Sequence, residues 1–454
     1  MGEYTTGFTA CASLAIVGVR MRRMEIWEVV ERHVHIKQKV IRYQPVDKLL
    51  DEFINILGGG HGTVEINTRV RPDSQLQRAF GREACAEQST VSETLNACTE
   101  DNVKEMRQAN REIYRTYGQS HQHDYERGWQ VLDVDMTGMP AGRKGEGVTK
   151  GFFSGERNRR GRQLGRVVAT LYGEIVEERL YSGKIQLERS LQELVTVAEE
   201  AMGLTEARRR RTIARVDGGG GRDADINWLL NRGYLLMGKV KNWQRGVKLA
   251  RSVTTWYPDP KVPGREAGWV EEPHPYDSPT RQVAVRRRKK DGKWGYRVLV
   301  FNLPNDTLFW LARQPLRKEP TVTQLLFAAL CAYDLRGGGV ETTFRGSKEG
   351  LGLVKRNKRR FAAQEMLVLL AQLAYNLISW TRDLLAQHSP PLRKFGILRM
   401  VRDVFHISGQ IKFDAQGHIL EITLNEKHSL ALPFIQALSP IMAHDGLWLN
   451  LGQI

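Results

Sequence analysis

Val131-Leu132-Asp133-Val134-Asp135-Met136-Thr137 alternates strictly between apolar and polar side chains. Successive side chains of a strand point to opposite faces, so Leu132, Val134 and Met136 share one face and Asp133, Asp135 and Thr137 the other. The stretch therefore predicts a strand with an acidic face. Downstream, residues 164–172 and 174–181 are β-like runs meeting near Gly173, which predicts a hairpin. Residues 184–209 carry Ile185, Leu187, Leu191, Leu194, Val195 and Ala198 at helical spacing. Residues 212–217 read as a strand, 223–231 as a helix and 234–240 as another strand. The predicted order is β-β-β-α-β-α-β, and it begins on the acidic strand.

That is the RNase H-like order, so the expected fold is α/β: a mixed five-stranded sheet with helices. Working outward, residues 23–130 read as helical, with helical apolar spacing near 24–38, 46–57 and 100–117. Thr90 and Glu93 stand at capping-box spacing, which starts a helix there and suggests a helix-turn-helix-like unit. Residues 245–320 hold Pro258, Pro260, Pro263, Pro273, Pro275 and Pro279, then a hairpin pattern over 282–288 and 294–301 around Asp291-Gly292. Helices return from about Thr321, and 407–413 with 419–424 read as a small hairpin. Five segments result: a helical DNA-binding domain over 1–130, the first part of the core over 131–244, and a β-rich insertion over 245–320. The second part of the core follows over 321–405, then a C-terminal hairpin and tail over 406–454.

The 454 residues carry a formal net charge of +17, which favours a polyanionic partner, nucleic acid above all. Four cysteines, Cys11, Cys85, Cys98 and Cys331, form no CxxC pair, so neither a zinc ribbon nor a disulfide framework is expected and a reduced, cytoplasmic setting fits. The apolar run 8–19 is too short to span a bilayer. The run 361–380 is interrupted by Gln364, Glu365, Gln372 and Asn376 and reads as a buried helix; no membrane partner is expected.

Three acids stand where chemistry could occur. Asp135 shares its face with Asp133, and the alternation alone does not choose between them. Asp217 ends a predicted strand and precedes Gly218-Gly219-Gly220-Gly221, a position where open sheets place ligands. Glu341 begins a predicted helix over 341–349 on which Arg345 and Lys348 share its stripe. Phosphodiester chemistry needs an activated nucleophile and charge relief on the leaving oxygen, which two divalent ions about 3.5–4 Å apart supply. Mg²⁺ prefers carboxylates with water and substrate oxygens, so acids rather than His121, His123 and Asp124 are the residues to weigh. The glycine runs lack the Gly-Lys-Ser/Thr of a phosphate-binding loop, which argues against ATP hydrolysis. Basic runs over 208–211, 286–290 and 355–360 are candidates for DNA-backbone contact. Trp294 and Tyr296 beside the middle run suit base stacking or hairpin packing.

These blocks resemble those of bacterial insertion-sequence DDE transposases, in the branch with a Y-R-E-K signature. Asp133-Val134-Asp135-Met136-Thr137 matches the Asp-x-Thr strand of that family, which selects Asp135. Arg215-Val216-Asp217-Gly218 matches the second acid. Tyr333, Arg336, Glu341 and Lys348 match the signature, with four residues between Arg336 and Glu341 where the family has three. The resemblance covers about residues 70–410. It implies Mg²⁺-dependent cleavage at transposon ends and transfer of the 3′ hydroxyl into target DNA. Asp135, Asp217 and Glu341 would be catalytic and hold two Mg²⁺ ions, with Mn²⁺ able to substitute. Tyr333, Arg336, Arg345 and Lys348 would contact DNA. The implied partners are double-stranded DNA, as terminal inverted repeats and target, and further copies of the chain in a synaptic complex. The implied setting is cytoplasmic, on the nucleoid.

Overall fold

A computed structural model describes residues 4–40, 42–153, 156–316, 318–444 and 446–454. In chain order the strands are β1 (Thr5–Thr9), β2 (Gln130–Pro140), β3 (Thr149–Phe153), β4 (Glu156–Ala169), β5 (Glu174–Ser182), β6 (Thr212–Val216), β7 (Leu235–Lys239), β8 (Tyr257–Pro258), β9 (Arg265–Trp269), β10 (Arg281–Arg288), β11 (Trp294–Phe301), β12 (Gly409–Phe413), β13 (Ile419–Asn425) and β14 (Trp448–Gly452). The chain divides into two compact units, and this mixed α/β architecture is distributed over both.

The first unit comprises Met1–Tyr117, Ala141–Val148 and Phe344–Ile454. The helices expected upstream are present as Ile26–His33, Pro45–Leu57, Gln88–Ala97 and Glu100–Tyr117, but the third starts after Glu87, so Thr90 lies inside it and does not cap it. They share this unit with the C-terminal stretch Phe344–Ile454, a division that differs from the five segments read in the sequence. A four-stranded sheet ordered β1-β12-β13-β14 contains the expected C-terminal hairpin and adds a strand on each side of it. The 28-residue helix Phe361–His388 is long and apolar enough to cross a membrane by length and composition, and 89% of its most apolar window is buried inside the protein. Within this unit Arg356 and Glu52, both sealed from solvent, form an ion pair at 2.6 Å.

The second unit comprises Gly118–Pro140 and Thr149–Thr343. Its sheet runs β3-β4-β2-β6-β7-β11-β10-β9-β8, with β5 paired to β4. β2 is antiparallel to β4 and parallel to β6, and β6 is parallel to β7. The expected five strands are therefore contiguous as β5-β4-β2-β6-β7. The expectation of a five-stranded sheet is corrected, however: among the described residues ten strands join in one sheet. The reason is that β7 does not end the sheet. Leu299, Val300 and Phe301 of β11 pair with Lys239, Gly238 and Met237, so the hairpin of residues 281–301 continues the ladder and satisfies β7's outer backbone groups.

Both faces of this sheet are covered. Every residue of β6 is buried, as befits a strand with helices on both sides. The helix Leu191–Met202 buries Leu191, Leu194, Val195 and Ala198 and ends on Gly203 in the left-handed region. On the opposite face Val131, Ile213, Met237, Leu299 and Phe301 pack with Leu308, Leu326 and Ala329 in one apolar cluster. Leu326 and Ala329 belong to the helix Val322–Asp334, which opens with a capping box between Thr321 and Gln324. Val131 and Ile213 have the same strand parity as Asp133, Asp135, Arg215 and Asp217. The acidic face of β2 is thus a covered face, and its acids need partners.

Candidate active site

The register of the parallel pair β2 and β6 places the charged groups. Asp133 stands opposite Arg215, and Val134 opposite Val216. One residue further along, Asp135 and Asp217 reach the C-terminal ends of the paired segment. Asp133 and Asp135 meet very different surroundings there.

Asp133 is sealed. Its carboxylate accepts two hydrogen bonds from the Arg215 guanidinium, at 2.6 and 2.8 Å, and one from the Thr170 hydroxyl at 2.6 Å. Arg215 also donates to the carbonyl of Ala332 at 3.0 Å. This fully partnered carboxylate has no free lone pair facing solvent, so it is a structural ion pair.

Asp135 opens instead onto a cavity of about 640 Å³, shared with Asp217. Arg336 donates to its carboxylate at 2.8 Å, and the Met136 backbone N–H donates at 2.7 Å. Burial raises its pKa to about 6, the Asp217 charge adds to the rise, and Arg336 opposes it. Two acids share a site in which one resists ionising. Asp217 is fixed by its own loop, its Oδ1 accepting from the Gly219 N–H at 2.7 Å. The glycine run has a steric reason as well. A Cβ on Gly221 would lie 1.7 Å from the Lys239 carbonyl oxygen, so only glycine permits that approach.

Glu341 is placed differently from expectation. The helix Val322–Asp334 ends before a wide turn, Gly337–Glu341, in which Gly339 leaves helical geometry (φ −93°, ψ −111°). The fourth residue between Arg336 and Glu341 is taken up in this kink. Gly339 passes so close to the sheet that a Cβ would meet Asp133 Oδ2 at 2.4 Å. The Glu341 side chain is 64% exposed, and its nearest charged partner is Arg336 at 3.8 Å. Arg336 therefore lies between Glu341 and Asp135. Among the described residues no three His, Cys, Asp or Glu side chains gather as a metal cage.

The remaining candidates divide as follows. Tyr333 is buried, its hydroxyl donating to the Val216 carbonyl at 3.5 Å and its ring beneath the Lys239 ammonium at 4.5 Å. Burial pushes its hydroxyl pKa up. Arg336 is buried too, and donates to the Val134 carbonyl at 3.2 Å as well as to Asp135. Neither presents a free face to a phosphate in this state. Arg345 and Lys348 belong to the other compact unit. There Arg345 pairs with Glu349 at 2.9 Å on an exposed turn, and Lys348 is half-buried in the turn Gly346–Gly350. The regular helix expected over 341–349 is a single helical turn, Thr342–Arg345, followed by that second wide turn.

The basic runs are largely occupied locally. Arg211 lies over the Trp129 ring at 4.1 Å and Arg210 pairs with Glu206. Arg286 is held between Trp256 and Trp294, at 4.3 and 4.5 Å. Trp294 and Tyr296 thus serve packing of the hairpin here, Tyr296 lying 6.2 Å from Trp256. His123 accepts or donates a hydrogen bond to the Tyr172 hydroxyl at 2.6 Å, and its pKa is lowered by burial.

Sequence reasoning missed the cations of the cavity itself. Lys150 on β3, Lys184 after β5 and Lys241 after β7 line the space into which Asp135 and Asp217 face, together with Gln163 and Gln186. No signal marked them, because they are single lysines on three separate elements that only the sheet order brings together.

No family model matches the chain, and no curated protein matches it. Among solved structures, the cryo-EM structure of the piggyBac transposase synaptic complex with hairpin DNA is similar to it. The TM-score is 0.46 and the identity 12%, over 88% of this chain and 83% of that one.

The donor set suits a hard divalent cation. Two carboxylates face one open space, and the charge of Asp217 disfavours ionisation of Asp135, which a cation between them would relieve. Mg²⁺ is commonly bound by one or two carboxylates with the remaining positions left to water and substrate oxygens.

Proposed function

We propose that this chain is a DDE transposase with an RNase H-like core, acting on double-stranded DNA at transposon ends. The observation that carries the reading is the placement of Asp135 and Asp217 one residue past the last pair of the parallel strands β2 and β6, in one cavity whose other charged lining is three lysines. The five strands expected from the sequence lie side by side as β5-β4-β2-β6-β7, which supports the core assignment.

In this reading Asp135 and Asp217 would hold Mg²⁺, which would supply activation of the attacking hydroxyl and charge relief on the leaving oxygen. Asp217 is oriented for that task by the Gly219 N–H. Lys150, Lys184 and Lys241 draw the DNA backbone into the cavity. Glu341 would complete the acid set by turning inward from its exposed position, and Arg336, which now lies between Asp135 and Glu341, would meet the substrate phosphate. Synapsis of two DNA ends requires at least two copies of the chain. Residues 1–130 and the insertion would add DNA contacts outside the cavity.

The test is Asp217→Ala in the full chain. Mg²⁺-dependent cleavage of a transposon-end duplex should vanish while binding to that duplex persists. Strand cleavage retained by the variant would overturn the assignment. A second reading, a DNA-binding protein of transposon descent without catalysis, is favoured by the exposure of Glu341 and its separation from Asp135 by Arg336. Cleavage and strand-transfer products from the wild-type chain exclude it; binding without cleavage in Mg²⁺ or Mn²⁺ establishes it.

A further inference from the structure

Lys241 stands where two cavities meet. It lines the 640 Å³ space of the acid pair and also a second space of about 350 Å³, lined further by Lys239, Tyr296 and Arg297. Asp217, Gly218 and Gly219 line both spaces as well. The Lys241 backbone is fixed to the acid's own loop, its N–H donating to the Gly221 carbonyl at 3.0 Å. Its ammonium is engaged by the Glu188 carboxylate, on the short turn Leu187–Arg189. Both side chains are part-exposed, at 38% and 24%. An acidic side chain thus occupies the lysine at the junction, beside an acid pair that would be neutralised by a cation.

We propose that Glu188 holds the place of a DNA phosphate: Lys241 binds a backbone phosphate of the strand passing from one cavity to the other, and Glu188 is displaced when it does. The proposal rests on the DNA-processing reading above and adds to it a positioning residue and its built-in competitor. Three arguments support it. A part-exposed ion pair of this kind is weak, so a phosphate can displace the carboxylate. Lysine is a point charge on a flexible stem, able to exchange one anion for another without a fixed bidentate geometry. Glu188, once displaced, has solvent within reach. Removing its charge should therefore favour DNA, the reverse of what loss of a structural ion pair does.

The test uses the full chain, a labelled DNA duplex with a single-stranded extension, and EDTA in place of metal, so that binding is read apart from cleavage. Glu188→Gln should tighten binding roughly threefold, as expected for freeing a cation from a part-exposed pair. Lys241→Gln should weaken binding and lower the slope of log affinity against log salt by about 0.7–0.9, the loss of one phosphate contact. In the Lys241→Gln background, Glu188→Gln should change nothing. Melting curves report whether each variant is folded. Steeply salt-dependent binding by the wild-type chain with no tightening in Glu188→Gln overturns the latch and leaves the DNA reading standing. Absence of DNA binding by the wild-type chain overturns both.

Discussion

Asp133 and Asp135 lie two residues apart on β2, on one face, and each meets an arginine, yet the two pairs have little else in common. Asp133 and Arg215 are 0% and 2% exposed and joined by two hydrogen bonds, with Thr170 supplying a third. Asp135 is 14% exposed, shares Arg336 with Glu341, and has a second acid beside it. The helix Val322–Asp334 and the close pass of Gly339 cover the first pair. The second lies one residue past the last β2–β6 pair, where Asp135 lines the cavity. Position along a strand, rather than face, separates a structural carboxylate from one available for chemistry. A sealed pair stabilises by mutual compensation, whereas an open pair under like-charge pressure is poised to take up a cation.

The largest effect should come from breaking the sealed pair. Asp133→Asn leaves the Arg215 charge buried without its counter-ion and should cost about 3–5 kcal/mol of unfolding free energy. Asp135→Asn should behave otherwise. Its carboxyl has a folded-state pKa raised from 3.8 to about 6, so it favours the fold below 3.8 and that contribution is lost as pH rises through 6. At pH 7 the substitution removes a disfavoured charge, which offsets the loss of a partner for Arg336. Urea unfolding of the two variants at pH 7 measures the contrast. An equal loss of stability in both would mean that the two pairs are energetically alike.

This contrast also marks how far the sequence could be read. The strands β2, β6 and β7 and the helix between the latter two are legible because apolar periodicity and glycine punctuation act locally. The choice between Asp133 and Asp135 is not, since alternation puts both on one face; it came from the Asp-x-Thr resemblance, and the burial of Asp133 by Arg215 gives it a physical basis. Arg215 itself was read only as the neighbour of Asp217. Its role depends on the register that sets it opposite Asp133. Glu341 was legible as an acid but not as an exposed one, because helical periodicity says nothing of a kink at Gly339. The lysines of the cavity were invisible for a related reason: residues 150, 184 and 241 become neighbours through tertiary structure alone.

A smaller effect should sharpen the open side of the comparison. A cation bound by Asp135 must displace its proton wherever the carboxyl is neutral. Mg²⁺ affinity should therefore be nearly constant above pH 7 and fall about tenfold for each pH unit below 6. Titration calorimetry at pH 5, 6 and 7 reads this directly, together with the protons released. In Asp217→Asn, the like charge that helps raise the Asp135 pKa is gone, so the fall should move to lower pH. A pH-independent affinity would mean that Asp135 is not a ligand.

The smallest effect tests whether the two pairs are separate. Thr170→Val removes one donor from Asp133 while keeping the shape of the side chain and both Arg215 bonds. The lost hydrogen bond should cost about 1 kcal/mol, the ordinary net worth of one such bond, because two charge-assisted donors remain on the carboxylate. Mg²⁺ affinity should not move, since Thr170 contacts the sealed carboxylate and does not line the cavity of Asp135 and Asp217. A variant that loses stability and keeps its metal affinity places the division between the two residues. A variant that loses both would show that β2 transmits strain from Asp133 to Asp135, and that the sealed pair sets the geometry of the open one.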